Sequence, residues 1–209
     1  MNVPIKHHFV PRFYLKAWSG ADGKLTEFRK WPKGISTRRV YPAATGFVDR
    51  LYALEGLADE AAQELEVEFF SPVDGRAATA HAELRKNHAG ELGEKAREAW
   101  ATFMNSMLMR TPQDLAVVRE RWVDILFEGN ADWESRYAMG RLEGEPTTLK
   151  EAAQAIPLEE LRRAALRMLV DAISGRNSIR LIREMNWHVF RVDDKGLSFL
   201  TSDAPVIRT

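Results

Sequence analysis

The apolar residues of this chain follow two different spacings. From residue 57 to residue 185 they recur every three or four positions, as at Leu57, Leu65 and Phe69, and this spacing places them on one face of a helix. Outside that block they form short runs bordered by turn residues, which is typical of strands. Four runs have this form: 25–29, 35–41, 187–192 and 197–202. The pattern predicts a helical middle between two β-rich ends.

Proline and capping residues divide the helical block. Ser71-Pro72 and Thr111-Pro112 each place a capping side chain before a proline, which the first turn of a helix tolerates. Thr148 to Glu151 has the form of a capping box, and Asn87 to Gly90 indicates a helix end. A further short helix is predicted over residues 131–142. We therefore expect about five to seven helices in a bundle.

The C-terminal end predicts a β-hairpin. Residues 187–192 and 197–202 read as its strands, and Asp193-Asp194-Lys195-Gly196 has the composition of the turn between them. Another strand is expected to start at Pro205, close to the last residue, Thr209. Because an open sheet edge is usually paired or covered, we expect either a strand of another chain or further sequence beyond Thr209 to complete this sheet.

Both ends of the chain carry ionisable side chains within apolar runs and beside a proline. Residues 7–15 form one such stretch and residues 199–206 form the other. Arg110 follows the apolar stripe of a predicted helix, so its guanidinium should face the core. A buried charge must be paired or lie at the edge of a cavity. We predict that the fold brings the two ends and Arg110 together.

These elements predict the fold class α+β. We expect a helical bundle packed on a small, mainly antiparallel sheet built from the N- and C-terminal ends. Residues 1–209 are expected to form a single domain. Its parts are a β-rich segment over 1–55, a helical segment over 56–185 and the C-terminal hairpin over 186–209.

Composition narrows the setting of the protein. The chain contains no cysteine, which excludes disulfides and thiolate metal sites and is typical of a reducing compartment. Residues 1–6 lack the apolar core of a signal peptide, and no run approaches the roughly 20 apolar residues of a membrane span. We therefore expect a cytoplasmic protein without a membrane partner.

The net charge of zero conceals an asymmetry along the chain. Residues 1–55 hold ten Lys and Arg against four Asp and Glu, whereas residues 56–130 hold eight against fourteen. The basic front end also places lysines and arginines around Trp31 and Tyr41, a mixture that suits nucleic acid or another phosphate-bearing ligand. The alternative is that it forms a solvated hairpin face and docks on the acidic helices that follow.

Three motifs together resemble a microbial family known as domain of unknown function 4238. They are His8-Phe9-Val10-Pro11-Arg12-Phe13-Tyr14-Leu15, Arg110-Thr111-Pro112 and Thr201-Ser202-Asp203-Ala204-Pro205-Val206. Ala204 stands where such proteins often have asparagine, and members tend to continue into further sheet beyond the last motif. The resemblance spans nearly the whole chain and implies the meeting of the two ends. It implies no activity.

The residues of the two ends suggest a site with catalytic chemistry. His8 and Asp203 are candidates for acid–base or metal-binding groups, and Ser202 is a candidate nucleophile. A second set is predicted to bind substrate, with Arg110 clamping a phosphate or carboxylate. This set comprises His7, Arg12, Tyr14, Arg110 and Thr201. The resulting hypothesis is a hydrolase or nuclease acting on a phosphate-bearing or nucleic-acid substrate.

The alternative is a non-catalytic binding module for a protein or small ligand. In that case the same residues form a structural polar network, with Asp203 capping a turn and pairing with Arg110. Ser202 also lacks the Gly-rich elbow of serine hydrolases. The cofactor is left open, with a divalent metal as one option.

Three weaker patterns point to nucleases or metal sites. His7-His8 before Pro11 resembles the first strand of HNH nucleases, but the later asparagine and histidine are too distant in sequence. Arg76 and His81 match the Arg-x-x-x-x-His spacing of HEPN ribonucleases, a match that chance also produces. Glutamates at residues 60, 64 and 68 share a helix face and could present carboxylates to Mg²⁺, or form a solvated stripe.

Overall fold

A computed structural model describes residues 5–54, 56–86, 92–190, 192, 196 and 198–207. Its strands are β1 (Lys6–His8), β2 (Leu25–Trp31), β3 (Gly34–Val40) and β4 (Phe47–Asp49). Its helices are α1 (Arg12–Lys16), α2 (Asp59–Ala62), α3 (Ser71–Lys86), α4 (Glu94–Met107), α5 (Pro112–Glu128), α6 (Ala131–Gly140), α7 (Leu149–Gln154), α8 (Leu158–Ile173) and α9 (Arg176–Glu184). A π-helical segment, Leu65–Phe70, precedes α3. The predicted α+β class is confirmed.

The strands form two separate antiparallel ribbons in the N-terminal part. β1 pairs with β4, with His7 opposite Val48, and β2 pairs with β3 from Leu25 opposite Val40 to Trp31 opposite Gly34. The predicted strands at 25–29 and 35–41 are confirmed. The β2–β3 hairpin is exposed along nearly its whole length.

The predicted C-terminal hairpin is wrong for the part of the chain that the structure describes. Residues 187–190 and 198–207 contain no strand, and most of the predicted turn lies outside the described residues. Phe190 and Leu200 are each 79% exposed. These two side chains are therefore not buried against an apolar face, and an isolated two-stranded hairpin is marginal without one.

The helices pack in pairs, chiefly α3 with α4, α5 with α8 and α4 with α9. The main core lies between the loop after β4, the π-helical segment, α5 and α8, and includes Tyr52, Phe70 and Leu115. A second cluster joins α5, α7 and α8. The helical middle predicted from apolar spacing is therefore present, with the short helix α6 inside the predicted range.

The predicted helix start at Ser71-Pro72 is a continuation instead. Ser71 has helical backbone angles, so the chain passes directly from the π-helical segment into α3. A proline inside an α-helix would bring its ring against the carbonyl four residues earlier. The π-helical turn just before Pro72 is wider and changes the position of that carbonyl relative to the ring. The helix can therefore continue at a proline that the sequence pattern indicated as a break.

A third cluster ties both ends of the chain to the helices. Phe13 and Tyr14 of α1 and Val206 near the C-terminus pack on Ala77 of α3 and Phe103 of α4. Within the described parts of the chain, no helix combines the length and apolar character needed to cross a lipid bilayer.

Candidate functional site

Arg110 is the centre of a buried polar network. Its side chain is fully buried at the junction of α4 and α5, where Thr111 caps α5. The guanidinium donates two hydrogen bonds to Asp74 of α3, of 2.7 and 3.2 Å. It donates a third, of 2.8 Å, to the backbone carbonyl of His8 in β1. Arg110 thus joins β1, α3 and α5, and the expectation that its charge is paired is confirmed.

Tyr52 and His7 complete this network. The Tyr52 hydroxyl accepts from Arg110 Nε at 3.3 Å and donates to the Arg110 carbonyl at 3.2 Å. The His7 Nδ1 accepts from the Tyr52 backbone N–H at 2.9 Å, and its ring stacks on Tyr52 with centroids 5.5 Å apart. Tyr52 also stacks on Phe70 at 4.0 Å. Because His7 is fully buried, its ring supports the loop after β4.

Burial sets the protonation of the groups around Arg110. It raises the pKa of Tyr52 to about 12 and that of Glu66 to about 7, although the nearby guanidinium opposes both shifts. It also raises the pKa of Asp74 against the attraction of Arg110. Burial and the cations Arg12, Lys6 and Arg110 lower the pKa of His8 to about 4, so its imidazole is neutral at neutral pH.

Two polar atoms near this network have no hydrogen-bond partner among the described residues. They are His8 Nε2 and Glu66 Oε2, both buried. Glu66 lies in the π-helical segment, and its other carboxylate oxygen accepts from Ser71 at 3.4 Å. Neither residue lines the two pockets described below.

The two ends of the chain meet at a second place. The Tyr14 hydroxyl and the Thr201 Oγ1 share a hydrogen bond of 2.8 Å. Ser202 Oγ accepts from the Ala204 N–H at 3.2 Å, which makes a local turn, and Asp203 is exposed. Arg12 is exposed at the start of α1. Head and tail thus join through Tyr14 and Thr201.

The predicted catalytic and substrate-binding residues are divided between these two places. His7, His8 and Arg110 lie in the buried network, whereas Thr201, Ser202 and Asp203 lie at the surface with Tyr14. No hydrogen bond or ion pair among the described residues joins Asp203 to Arg110. The ion pair of Arg110 is with Asp74, because α3 brings that carboxylate to within 2.7 Å.

An open groove of about 1630 Å³ adjoins the second place. Residues of the β2–β3 hairpin, the end of α1, β4 and the C-terminal segment line it. Its described lining includes five cations, Arg29, Lys30, Arg38, Arg39 and Arg85, and two carboxylates, Glu27 and Asp203. Seven aromatic residues also line it: Phe9, Trp18, Phe28, Trp31, Phe47, Phe190 and Phe199.

Ion pairs organise the hairpin wall. On one hairpin face Glu27 pairs with Arg29 and Arg38 and accepts a 2.7 Å hydrogen bond from Thr45. Burial opposes ionisation of Glu27, but these hydrogen bonds outweigh it and leave its pKa below the ordinary value. On the other face lie Phe28, which is 58% exposed, and Lys30.

The residues of the weaker nuclease and metal patterns do not form the arrangements that those sites require. Arg76 is exposed, while His81 packs against Phe13 and stacks on Trp100. Glu64 pairs with Arg167 at 3.1 Å, as in a solvated stripe. Across the described ranges, no three His, Asp or Glu side chains converge closely enough to hold a metal ion.

Sequence reasoning missed Tyr52, Asp74 and Glu66 as members of the network. Tyr52 lies in the apolar run Leu51–Leu54, which is a signal for burial but not for a partner. Asp74 lies on the same turn of α3 as buried Val73 and Ala77, and a carboxylate in such a position indicates a buried cation nearby.

The chain belongs to the family described as proteins of unknown function, DUF4238, whose model matches residues 6–209. The resemblance inferred from the three motifs is therefore confirmed over essentially the whole chain. No curated protein and no solved structure matches it.

Proposed function

We propose that the protein is a binding module for single-stranded nucleic acid, and that the Arg110 network is structural. The observation that carries this proposal is the lining of the open groove, to which five cationic and seven aromatic residues contribute. Proteins that bind single strands combine a positive groove for the backbone with aromatic side chains on which bases stack. This groove offers both.

The size of the groove favours a ligand larger than most small molecules. Pockets for small molecules usually enclose about 300–1,000 Å³. The groove, at about 1630 Å³, exceeds that range and is open to solvent. A strand of several nucleotides is a ligand of the size that such a groove can hold.

The exposed hairpin supports the same ligand. Phe28 and Trp31 are 58% and 54% exposed, which is unusual for large aromatic side chains outside a binding surface. The ion pairs that Glu27 makes with Arg29 and Arg38 are solvent-exposed, and such pairs contribute about 0–1 kcal/mol. Each guanidinium retains donors that a phosphate can accept.

A hydrolase or nuclease at the predicted catalytic residues has less support. Arg110 is fully buried and already bonded to Asp74, so it has no free face for a substrate phosphate. Ser202 and Asp203 are exposed, and no described base lies within hydrogen-bond reach of Ser202. The expected partner strand at an open sheet edge stays a prediction.

The test is fluorescence anisotropy with labelled single-stranded oligonucleotides of about 16 nucleotides, a length that such grooves commonly cover. Lys30→Glu should weaken binding and reduce the slope of log K against log salt by about 0.7, as expected for one lost phosphate contact. Lys150→Glu is the matched control, because this exposed lysine of α7 changes the net charge equally but does not line the groove.

A second pair of variants tests the aromatic contribution. Phe199→Ala should weaken binding about tenfold, since one base–aromatic stack is worth about 1–3 kcal/mol. Leu142→Ala removes an exposed apolar side chain outside the groove and should have no effect. Equal losses in the test and control variants, or no oligonucleotide binding at low salt, would refute the proposal. Gel analysis of the same mixtures reports any cleavage and so tests the nuclease hypothesis.

A further inference from the structure

A second, smaller pocket of about 690 Å³ adjoins the groove. It lies between α3, α4 and the segment that follows α9, and its volume falls within the range of small-molecule sites. Most of its lining is apolar or aromatic, including Leu84, Trp100, Met104 and Trp187. Its polar side chains are His81, His188 and Arg85.

The aromatic walls of this pocket are held by specific contacts. His81 stacks on Trp100 with centroids 5.3 Å apart and planes inclined by 7°. Trp187 donates a 2.8 Å hydrogen bond from Nε1 to the Ile182 carbonyl. The Arg97 guanidinium lies 4.1 Å from the Trp187 ring and donates to the Arg183 carbonyl. Walls fixed in this way lose little freedom when a ligand binds.

The polar groups of the pocket suit the edge of a planar heterocycle. Neither His81 nor His188 has a hydrogen bond among the described residues, so their ring nitrogens are available to a ligand. Burial and the neighbouring Arg85 lower the pKa of His81, which leaves its ring neutral. A neutral imidazole offers one donor and one acceptor, and nucleobase edges carry both kinds of group.

The pocket and the groove share two residues, Arg85 and Phe190. Arg85 is exposed and cationic at the boundary between them. A nucleotide whose ring entered the pocket would therefore place its phosphate toward Arg85 and the cationic groove. A purely apolar ligand would make no use of the two histidines or of Arg85, so these polar groups favour a nucleotide over such a ligand.

We infer that this second pocket binds one nucleobase, with the attached phosphate at the Arg85 boundary. The inference deepens the proposed function of the groove. It rests on that function for the binding of a nucleic-acid strand, but not for the binding of a single nucleotide. The bound base would leave the row of stacked bases and enter the pocket, where side chains read its edge. The pocket would then set base preference, while the groove supplies affinity for the backbone.

Isothermal titration calorimetry with the four nucleoside 5′-monophosphates tests the pocket by itself. We expect binding that favours one base. His188→Ala should weaken this binding by about 3- to 10-fold, as for the loss of one net hydrogen bond. Val189→Trp should abolish it, because the larger side chain fills the pocket. Both residues are exposed and lie outside helices, so the variants should keep their folding temperature. Asn186→Ala, at an exposed position that does not line the pocket, is the matched control.

Oligonucleotides of equal length with and without bases then separate the two proposals. Tighter binding of the base-bearing strand, lost in Val189→Trp, supports the pocket and the groove together. Tighter binding of the base-bearing strand that Val189→Trp leaves unchanged overturns the pocket but leaves the groove, whose aromatic residues stack bases without it. Mononucleotide binding sensitive to Val189→Trp, without oligonucleotide binding, overturns the groove but supports the pocket. Absence of all binding overturns both.

Discussion

Replacing Arg110 with alanine tests whether the buried network is the structural centre of the fold. The change removes a bidentate bond to Asp74, a bond to the His8 carbonyl and a bond to the Tyr52 hydroxyl. It leaves the Asp74 carboxylate without its counter-charge and opens a cavity in a fully buried position. Each of these effects destabilises the folded state.

The expected size of the effect follows from burial. Removing one partner of a buried ion pair typically costs about 3–5 kcal/mol. The Asp74 side chain is 21% exposed, so water can hydrate part of the orphaned charge. The two stranded acceptors on His8 and Tyr52 add to the cost. We therefore expect Arg110→Ala to lower the free energy of unfolding by about 4 kcal/mol, a large share of the 5–15 kcal/mol of a typical domain.

Urea denaturation followed by circular dichroism measures this loss, and a double-mutant cycle assigns it to the pair. Asp74→Ala should also destabilise strongly, while the double variant should cost at least about 1 kcal/mol less than the sum of the single variants. Arg76→Ala is the matched control, because Arg76 lies on α3 two residues from Asp74 and is exposed. It should change stability by no more than about 0.5 kcal/mol.

Two results would contradict this reasoning. A cost below about 1 kcal/mol for Arg110→Ala would mean that the guanidinium is not structural, since surface ion pairs contribute that little. Additive single and double variants would mean that Arg110 and Asp74 act independently. In either case the residue would again be a candidate for substrate binding.

Three further predictions concern stability. Tyr14→Phe should cost about 1 kcal/mol and expose the C-terminal segment to limited proteolysis, because it removes the bond to Thr201. Gly46→Ala should lower the melting temperature, because φ is +67° at this position and the new Cβ would lie 3.1 Å from the Val10 Cβ. Gly75→Ala is its counterpart in open space within α3, and it should stabilise the protein by about 0.5–1 kcal/mol. Burial raises the pKa of Glu66 to about 7, so binding of a proton to Glu66 stabilises the folded state at low pH. This contribution is lost as the pH rises from about 4.5 to 7, between the ordinary and the raised pKa. In urea denaturation, Glu66→Gln should therefore be more stable than wild type at pH 8 but not at pH 4.

Local patterns predicted the parts of the fold whose signals are local. The β2–β3 hairpin follows from alternation and a Pro-Lys-Gly turn, and the helical middle follows from apolar spacing. Burial of Arg110 could be predicted because it continues an apolar helix stripe. Its pairing with Asp74 could not, since the contact depends on how α3 packs beside the α4–α5 junction.

Pairings without local signals were missed or misassigned. β1 and β4 have three residues each and lie far apart in sequence, so neither shows the alternation of a longer strand. The C-terminal run has that alternation, yet Phe190 and Leu200 are exposed, and no apolar surface among the described residues covers them. A period of two predicts a strand only where a neighbouring face exists to bury one side of it.

Most residues of the motifs that identify the family make contacts between different elements of this fold. The His8 carbonyl and Arg110 close the buried network, and Tyr14 and Thr201 join head to tail. Such positions are restricted by burial and bonding, so a shared motif predicts a shared scaffold. The groove is lined by exposed side chains such as Phe28, which folding does not restrict in this way. Family membership therefore predicts the fold, while the proposed ligand has to be argued from the charged and aromatic residues that line the groove in each chain.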